Sequence, residues 1–249
     1  MAAGLHLVVG GGDPVRFPRA AERWRLGRSM PVLPEPGECV VLPGAGAATL
    51  AELFAGNVRD SGWTGFLLPH LPAGKPWLWV QERMAILESG RLYPPGLGTG
   101  ADQLIHVSSR DAREALWTME EGLRCGGIGA VIGELYGDPQ ALDFTATRRL
   151  AVAAERHGVA AFLIRLGGHA NLSGARFRWR IASAPSLANS LNPRAPGVAV
   201  WEAELFRARG HRPAQWTVSH EPGAGTQGGF RLVAGAGDRT LDEARRAAG

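Results

Sequence analysis

The stretch best suited to chemistry is Pro43-Gly44-Ala45-Gly46-Ala47-Ala48-Thr49. A short buried strand, ECVVLP (38–43), precedes it, and the apolar spacing of LAELFAGNV predicts a helix over 50–58. Strand, glycine turn and helix start are the parts of a loop whose backbone amides cradle phosphates. A working loop of that kind closes with Gly-Lys-Ser/Thr, the lysine reaching the outer phosphates and the hydroxyl holding Mg²⁺. Here Ala47 and Ala48 stand where those two belong, and Thr49 comes one position late, placed to cap the helix. The sequence has a single lysine, Lys75, which falls at the amino end of the next expected strand. The backbone half of an anion site is therefore present, whereas the half that performs phosphoryl transfer is missing. The alternative is a plain Gly-rich turn with no nucleotide chemistry.

Arginine supplies almost all the positive charge, and the formal net charge is +4. Arg148 and Arg149 are adjacent, and Arg176, Arg178 and Arg180 alternate with Phe177 and Trp179. That alternation suits a grip on single-stranded DNA, arginine on phosphate and aromatic on base. It suits equally an edge strand with its aromatic face buried and its charged face wet, the reading the pattern favours. Seven histidines include no HExxH spacing, and no G-x-S-x-G elbow is present, so neither a metal site nor a hydrolase nucleophile is expected. Cys39 and Cys125 cannot build a disulfide framework and are expected to be buried small hydrophobes. Tryptophans such as Trp201 and Trp216 are expected in the core, and any exposed one would mark a partner surface. No apolar run approaches bilayer length and no signal-peptide pattern opens the chain, which predicts a cytoplasmic protein away from membranes.

Elements that could position these residues follow in order. Strands are expected at 76–82, 103–109, 129–135 and 159–166, and helices at 111–127 and 143–158, the first capped by Asp111. Alternating strands and helices define an α/β class with a mostly parallel sheet covered on both faces. The segments 175–183, 198–210 and 214–221 read as antiparallel strands closing one edge. The chain divides into a Pro/Gly/Arg-rich segment (1–37), one core domain (38–221), and a tail (222–249) of Gly-rich turns and a short charged helix.

Several runs along this core resemble the RecA recombinase core and, more closely, the ImuA family of bacterial mutagenic DNA repair. They are WLWVQER, RLYPPGLGTGADQLIHVSSRDAREALWTMEEGLRCGGIGAVIGEL, TATRRLAVAAERHG, RFRWRIASAPS and PGVAVWEAELFRARGHRPAQW, spread over about residues 37–221. The resemblance implies a RecA-like, P-loop-type fold in which Gly44, Gly46, Ala47, Ala48 and Thr49 are a degenerate Walker A loop. It places Glu82 where RecA keeps a water-activating glutamate, Glu134 at the Mg²⁺-associated acid, and Arg165 near a nucleotide-sensing glutamine. These would be vestiges of a cofactor site, with no catalytic residue, bound metal or ATP expected. The loop 167–174, with Arg165, Arg176, Arg178 and Arg180 at its mouth, would be the DNA-facing region.

By the same resemblance the expected function is that of a non-catalytic accessory protein in SOS-induced, error-prone translesion synthesis. Its implied partners are an ImuB-like Y-family protein and an error-prone C-family polymerase, with RecA and single-stranded DNA as further contacts. Two rival readings are a degenerate ATPase that borrows an arginine for the lysine, and a SulA-like inhibitor of cell division.

Overall fold

The structure is a computed structural model and describes residues 39–44, 46–189, 191–192, 194–220 and 229–233. The expected N-terminal segment 1–37 and the charged helix of the tail lie outside the described residues.

Its strands are β1 (Cys39–Val41), β2 (Leu50–Ala55), β3 (Trp77–Glu82), β4 (Leu104–Ser109), β5 (Ala130–Tyr136), β6 (Ala160–Leu166), β7 (Phe177–Ala184), β8 (Val200–Ala208), β9 (Ala214–Ser219) and β10 (Gly229–Leu232). Its helices are α1 (Gly62–Leu67), α2 (Arg83–Ser89), α3 (Ala112–Arg124) and α4 (Phe144–His157). One sheet holds all ten strands in the order β1-β10-β9-β8-β7-β2-β6-β5-β3-β4. From β7 to β4 every neighbouring pair is parallel, and from β7 to β1 every pair is antiparallel. The α/β class, the mostly parallel sheet and the antiparallel strands of the C-terminal half agree with the sequence, with one refinement: β7 is parallel to β2 on one side and antiparallel to β8 on the other.

The largest departure is the segment 50–58. LAELFA is not a helix but β2, a strand buried on both faces in the middle of the ten-stranded sheet, between β7 and β6. Six residues with no exposed position cannot be told from a buried helix turn by periodicity alone, and Gly56-Asn57 ends them too early for a helix. Conversely ECVVLP yields only a three-residue strand at the far edge.

Strand alternation sends successive side chains to opposite faces. On one face Leu53, Trp79, Ile132, Phe162 and Trp179 pack with Trp63 and Phe66 of α1. On the other, Leu50, Val80, Val131 and Leu163 pack under Met119 and Leu123 of α3 and Leu150 and Ala154 of α4. Both long helices carry the expected caps. Asp111 accepts from Glu114 N at 2.9 Å and Asp143 from Ala146 N at 2.7 Å, and α4 closes on Gly158 at φ 68. The two cysteines, expected to be buried, are both exposed. Trp63, Trp77, Trp79, Trp179 and Trp201 lie in the core as expected, whereas Trp117 on α3 is 61% exposed. No helix among the described residues is long and apolar enough to cross a membrane.

Candidate functional site

The turn 43–49 does not sit where a phosphate cradle is built. Ligands of an open α/β sheet bind at the carboxyl ends of its parallel strands, and this turn enters β2 at its amino end. Its amides are consumed locally, Ala47 N donating to Gly44 O at 3.1 Å and Thr49 N to Ala47 O at 2.8 Å. Gly44 has φ 79, and a Cβ there would come within 2.7 Å of the Phe177 ring, so glycine serves close packing. Thr49 caps no helix; its hydroxyl donates to Glu155 Oε1 at 3.0 Å. Gly44, Gly46, Ala47, Ala48 and Thr49 thus lie in a turn at the opposite end of the strand from the expected site.

The strand–loop–helix unit at the correct edge is the one that joins β2 to α1, Gly56-Asn57-Val58-Arg59-Asp60-Ser61-Gly62-Trp63-Thr64. It is one residue longer than the G-x₄-G-K-[ST] spacing. Trp63 follows the second glycine where that pattern has lysine, and Thr64 supplies the hydroxyl position. The loop is filled by its own carboxylate. Asp60 Oδ1 accepts from Gly62 N at 2.9 Å and from the Ser183 hydroxyl at 2.6 Å, while Oδ2 accepts from Ser183 N at 2.8 Å. A Cβ at Gly62 would collide with Ser183 Oγ, so this glycine lets the loop close onto the end of β7. Trp63 turns inward, 4% exposed, with its ring 6.0 Å from that of Trp79. The readable signal was the pair Gly56 and Gly62 with Thr64 after a mostly apolar run, and the helix expected over 50–58 hid it.

Glu82 and Glu134 do lie near the carboxyl edge, but not together. Glu134 pairs in register with Gln81, so it shares a face with Gln81 and Trp79, and Glu82 points to the other face. Glu134 is 2% exposed; its carboxylate accepts from Trp79 Nε1 and from Gln81 Nε2, the latter at 3.0 Å. Burial pushes its pKa up to about 7, against the two hydrogen bonds. Among the described residues no arginine pairs with it. Gln81 extends the network, its Oε1 accepting from Leu92 N at 3.0 Å and lying 2.9 Å from His106 Nε2. Glu82 accepts from Tyr136 N at 3.0 Å, and burial raises its pKa too. The two carboxylates thus start from opposite faces of the sheet and are engaged by different partners.

Arg165, Arg178 and Arg180 form a stack across β6, β2, β7 and β8. The Arg165 and Arg178 guanidiniums each lie 5.3 Å from the Phe54 ring centre, Arg178 is 5.2 Å from Phe206, and Arg180 is 4.1 Å from Phe206. Glu52, itself fully buried, neutralises the inner part. Arg178 Nε donates to Glu52 at 2.6 Å, Arg165 Nη1 is 3.7 Å away, and the Ser173 hydroxyl donates at 2.9 Å. Arg165 also pairs with Asp138 and donates to Gly137 O at 3.2 Å. Arg165 is 4% and Arg178 3% exposed, so neither is placed to grip DNA from solvent. Arg180 is half-buried against Glu204, and Arg176 forks onto Glu155 at 2.6 and 3.1 Å. The expected edge strand with a wet charged face is therefore corrected. β7 is interior to the sheet, its aromatic face is buried as expected, and its charged face is mostly buried as well. Glu52 carried a weak signal, a lone acid inside LAELFA. No group of three or more His, Cys, Asp or Glu among the described residues is placed to hold a metal ion.

A mostly parallel sheet flanked by helices, with a strand–loop–helix unit at the carboxyl edge of the interior strand β2, is an α/β core of the RecA-like, P-loop type. No protein-family model matches the chain. Proteins named ImuA in two strains of Caulobacter vibrioides are each 35% identical to it over 178 residues, a match spanning 66% of this chain and 68% of each relative. The chain belongs to the ImuA family.

Proposed function

We propose that this protein is a non-hydrolysing accessory of DNA-damage-induced, mutagenic translesion synthesis that works through contacts with other proteins. Membership of the ImuA family supports its place in that response. The observation that carries the non-hydrolysing part is Asp60. Its carboxylate already takes up the amide of Gly62 and closes the loop onto Ser183. A phosphate brought there would face a negative charge in place of free amide donors, with Trp63 where a lysine would answer it. The residues present therefore do not suit Mg-ATP. The opposed Glu82 and Glu134 support the same reading, since phosphoryl transfer needs charge converging on one phosphate.

By this reading the partners are an ImuB-like Y-family protein and an error-prone C-family polymerase, with RecA as a further contact, and the place of work is the cytoplasm. The test has two arms. The purified chain, alone and with its partners, is expected to turn over no Mg-ATP above a blank. An affinity-tagged chain recovered from DNA-damaged cells is expected to bring down the ImuB-like protein. Turnover abolished by Glu82→Gln overturns the first part, and a complex without the ImuB-like protein overturns the second.

A further inference from the structure

We propose that a groove beside α4, distinct from the loop after β2 and from the buried arginine stack, binds the backbone of a single-stranded nucleic acid. It has a volume of about 380 Å³, and three stretches wall it: Phe144 and Arg148 of α4, residues 173–176 ahead of β7, and residues 207–209 at the end of β8. Arg148, Arg176, Arg207 and Arg209 all line it. These come from positions far apart in the chain, and the fold brings them to one cleft.

The walls are tied to one another. Arg209 N donates to Arg176 O at 2.9 Å, and Gly174 N donates to the Thr147 hydroxyl at 2.9 Å. Gly174 lies so close to α4 that a Cβ would come within 2.6 Å of the Arg148 backbone. The guanidiniums are thus held on a formed scaffold.

Their charge is largely unanswered. Arg148, Arg207 and Arg209 are exposed, and their side chains make no hydrogen bond or ion pair with the described residues. The nearby acid Glu155 is taken by Arg176 and Thr49, although its field also reaches Arg209. Asp143, which precedes Phe144 in the chain, is spent on capping α4. Neighbouring Arg149, by contrast, is paired with Glu120. Like charges gathered without partners cost free energy, and a polyanion repays it by releasing its counterions. Phe144, 41% exposed at one end, offers a ring on which an unstacked base can lie. That pairing of ring and guanidiniums favours a single strand over an acidic protein.

This inference does not depend on the partners proposed above. Its test uses the full chain and a fluorescein-labelled oligothymidylate, with binding followed over a salt series. The wild type is expected to bind with a steep salt dependence. Arg148→Gln/Arg207→Gln/Arg209→Gln should make the slope of log K against log salt shallower by about 2, from about 0.7 per phosphate contact. A control, Arg91→Gln/Arg113→Gln/Arg194→Gln, removes equal charge elsewhere and should leave the slope nearly intact. Circular dichroism melts establish that both variants fold, and Arg207→Gln alone, with a slope change of about 0.7, serves should the triple variant not. An oligouridylate that behaves alike supports the groove as a reader of phosphodiester backbone; weaker binding of it supports the groove and adds a preference for DNA. Absent wild-type binding, an equal loss in the control, or polyglutamate competing as well as the oligonucleotide would each overturn the proposal.

Discussion

Two parts of this molecule handle charge in opposite ways. Around β2 the buried charges are answered internally, Arg165 and Arg178 by Glu52 and Asp138, and the Gly62 amide of the loop that follows is taken by Asp60. In the groove beside α4, three arginines face solvent with no described side-chain partner. The fold class would lead one to look for ligand at the first place, and the unspent charge is at the second. What separates the two is the supply of carboxylates, and those come from distant positions. Glu52 meets Arg178 across 126 residues, and Asp60 meets Ser183 across 123.

That contrast can be broken most directly at Glu52. Its removal by Glu52→Ala strands two guanidiniums in the interior with only Asp138 nearby. Breaking a buried pair from one side costs about 3–5 kcal/mol, so the urea midpoint should fall severely with little change in m. A loss under about 1 kcal/mol, the ordinary value of a surface pair, would mean that water reaches the cluster and that the two regions are not so different.

A second test concerns how the carboxyl edge disposes of Glu134. Burial raises its pKa from 4.5 to about 7, so the folded protein holds a proton that the unfolded chain has released. The stability tied to this group is therefore fully present below about pH 4.5 and is lost as pH rises through about 7. His70, buried against Phe66, is shifted the other way, from 6.5 to about 4. Its folded form lacks a proton that the unfolded chain carries, so its contribution grows as pH rises from about 4 to 6.5. The two slopes oppose one another between about pH 4.5 and 6.5, and Glu134 acts alone above that. Stability should fall between about pH 6.5 and 7.5, part of a total on the order of a few kcal/mol. Glu134→Gln should abolish that fall and unmask the rise due to His70. A fall that survives in the variant would assign it to another group, such as Glu82.

The same contrast explains what could be read from the sequence. The strands from 76 to 166 and the two long helices among them were legible, because each of those helices announces itself with a capping aspartate and a 3.6-residue apolar period, whereas the short α2, with no side-chain cap, was missed. The family was legible too, since its motifs are spread along the core. The centre of the sheet was not: LAELFA is apolar but for Glu52, and a strand buried on both faces loses the alternation that identifies strands. That single error moved the expected cradle to the amino end of β2 and hid Asp60, Gly62 and Trp63. The arginines failed for a different reason. RFRWR states the residue types, but whether Arg178 is buried and Arg176 half-exposed depends on Glu52 and Glu155, which only the fold brings near. Arg207 and Arg209, within an ordinary strand end, gave no local sign of meeting Arg148.

The finest test of the contrast lies where the two regimes meet, at Arg176. This arginine lines the groove, yet Glu155 holds it in a forked pair and keeps its own carboxyl below the ordinary range, chiefly through that bond. Both side chains are partly open to water, 28% and 38% exposed, so Glu155→Ala should cost about 1 kcal/mol or less. The variant also removes the acceptor of the buried Thr49 hydroxyl, so Thr49→Val in the same background separates that cost from the loss of the ion pair. The informative change is in binding. With its carboxylate gone, Arg176 joins Arg148, Arg207 and Arg209 as an open cation, and the field that Glu155 casts on Arg209 disappears. If unanswered charge is what makes the groove a polyanion site, Glu155→Ala should bind oligothymidylate more tightly than the wild type, with a salt slope steeper by about 0.7. A slope that stays the same would show that Arg176 serves the scaffold alone, leaving three arginines as the whole of the site.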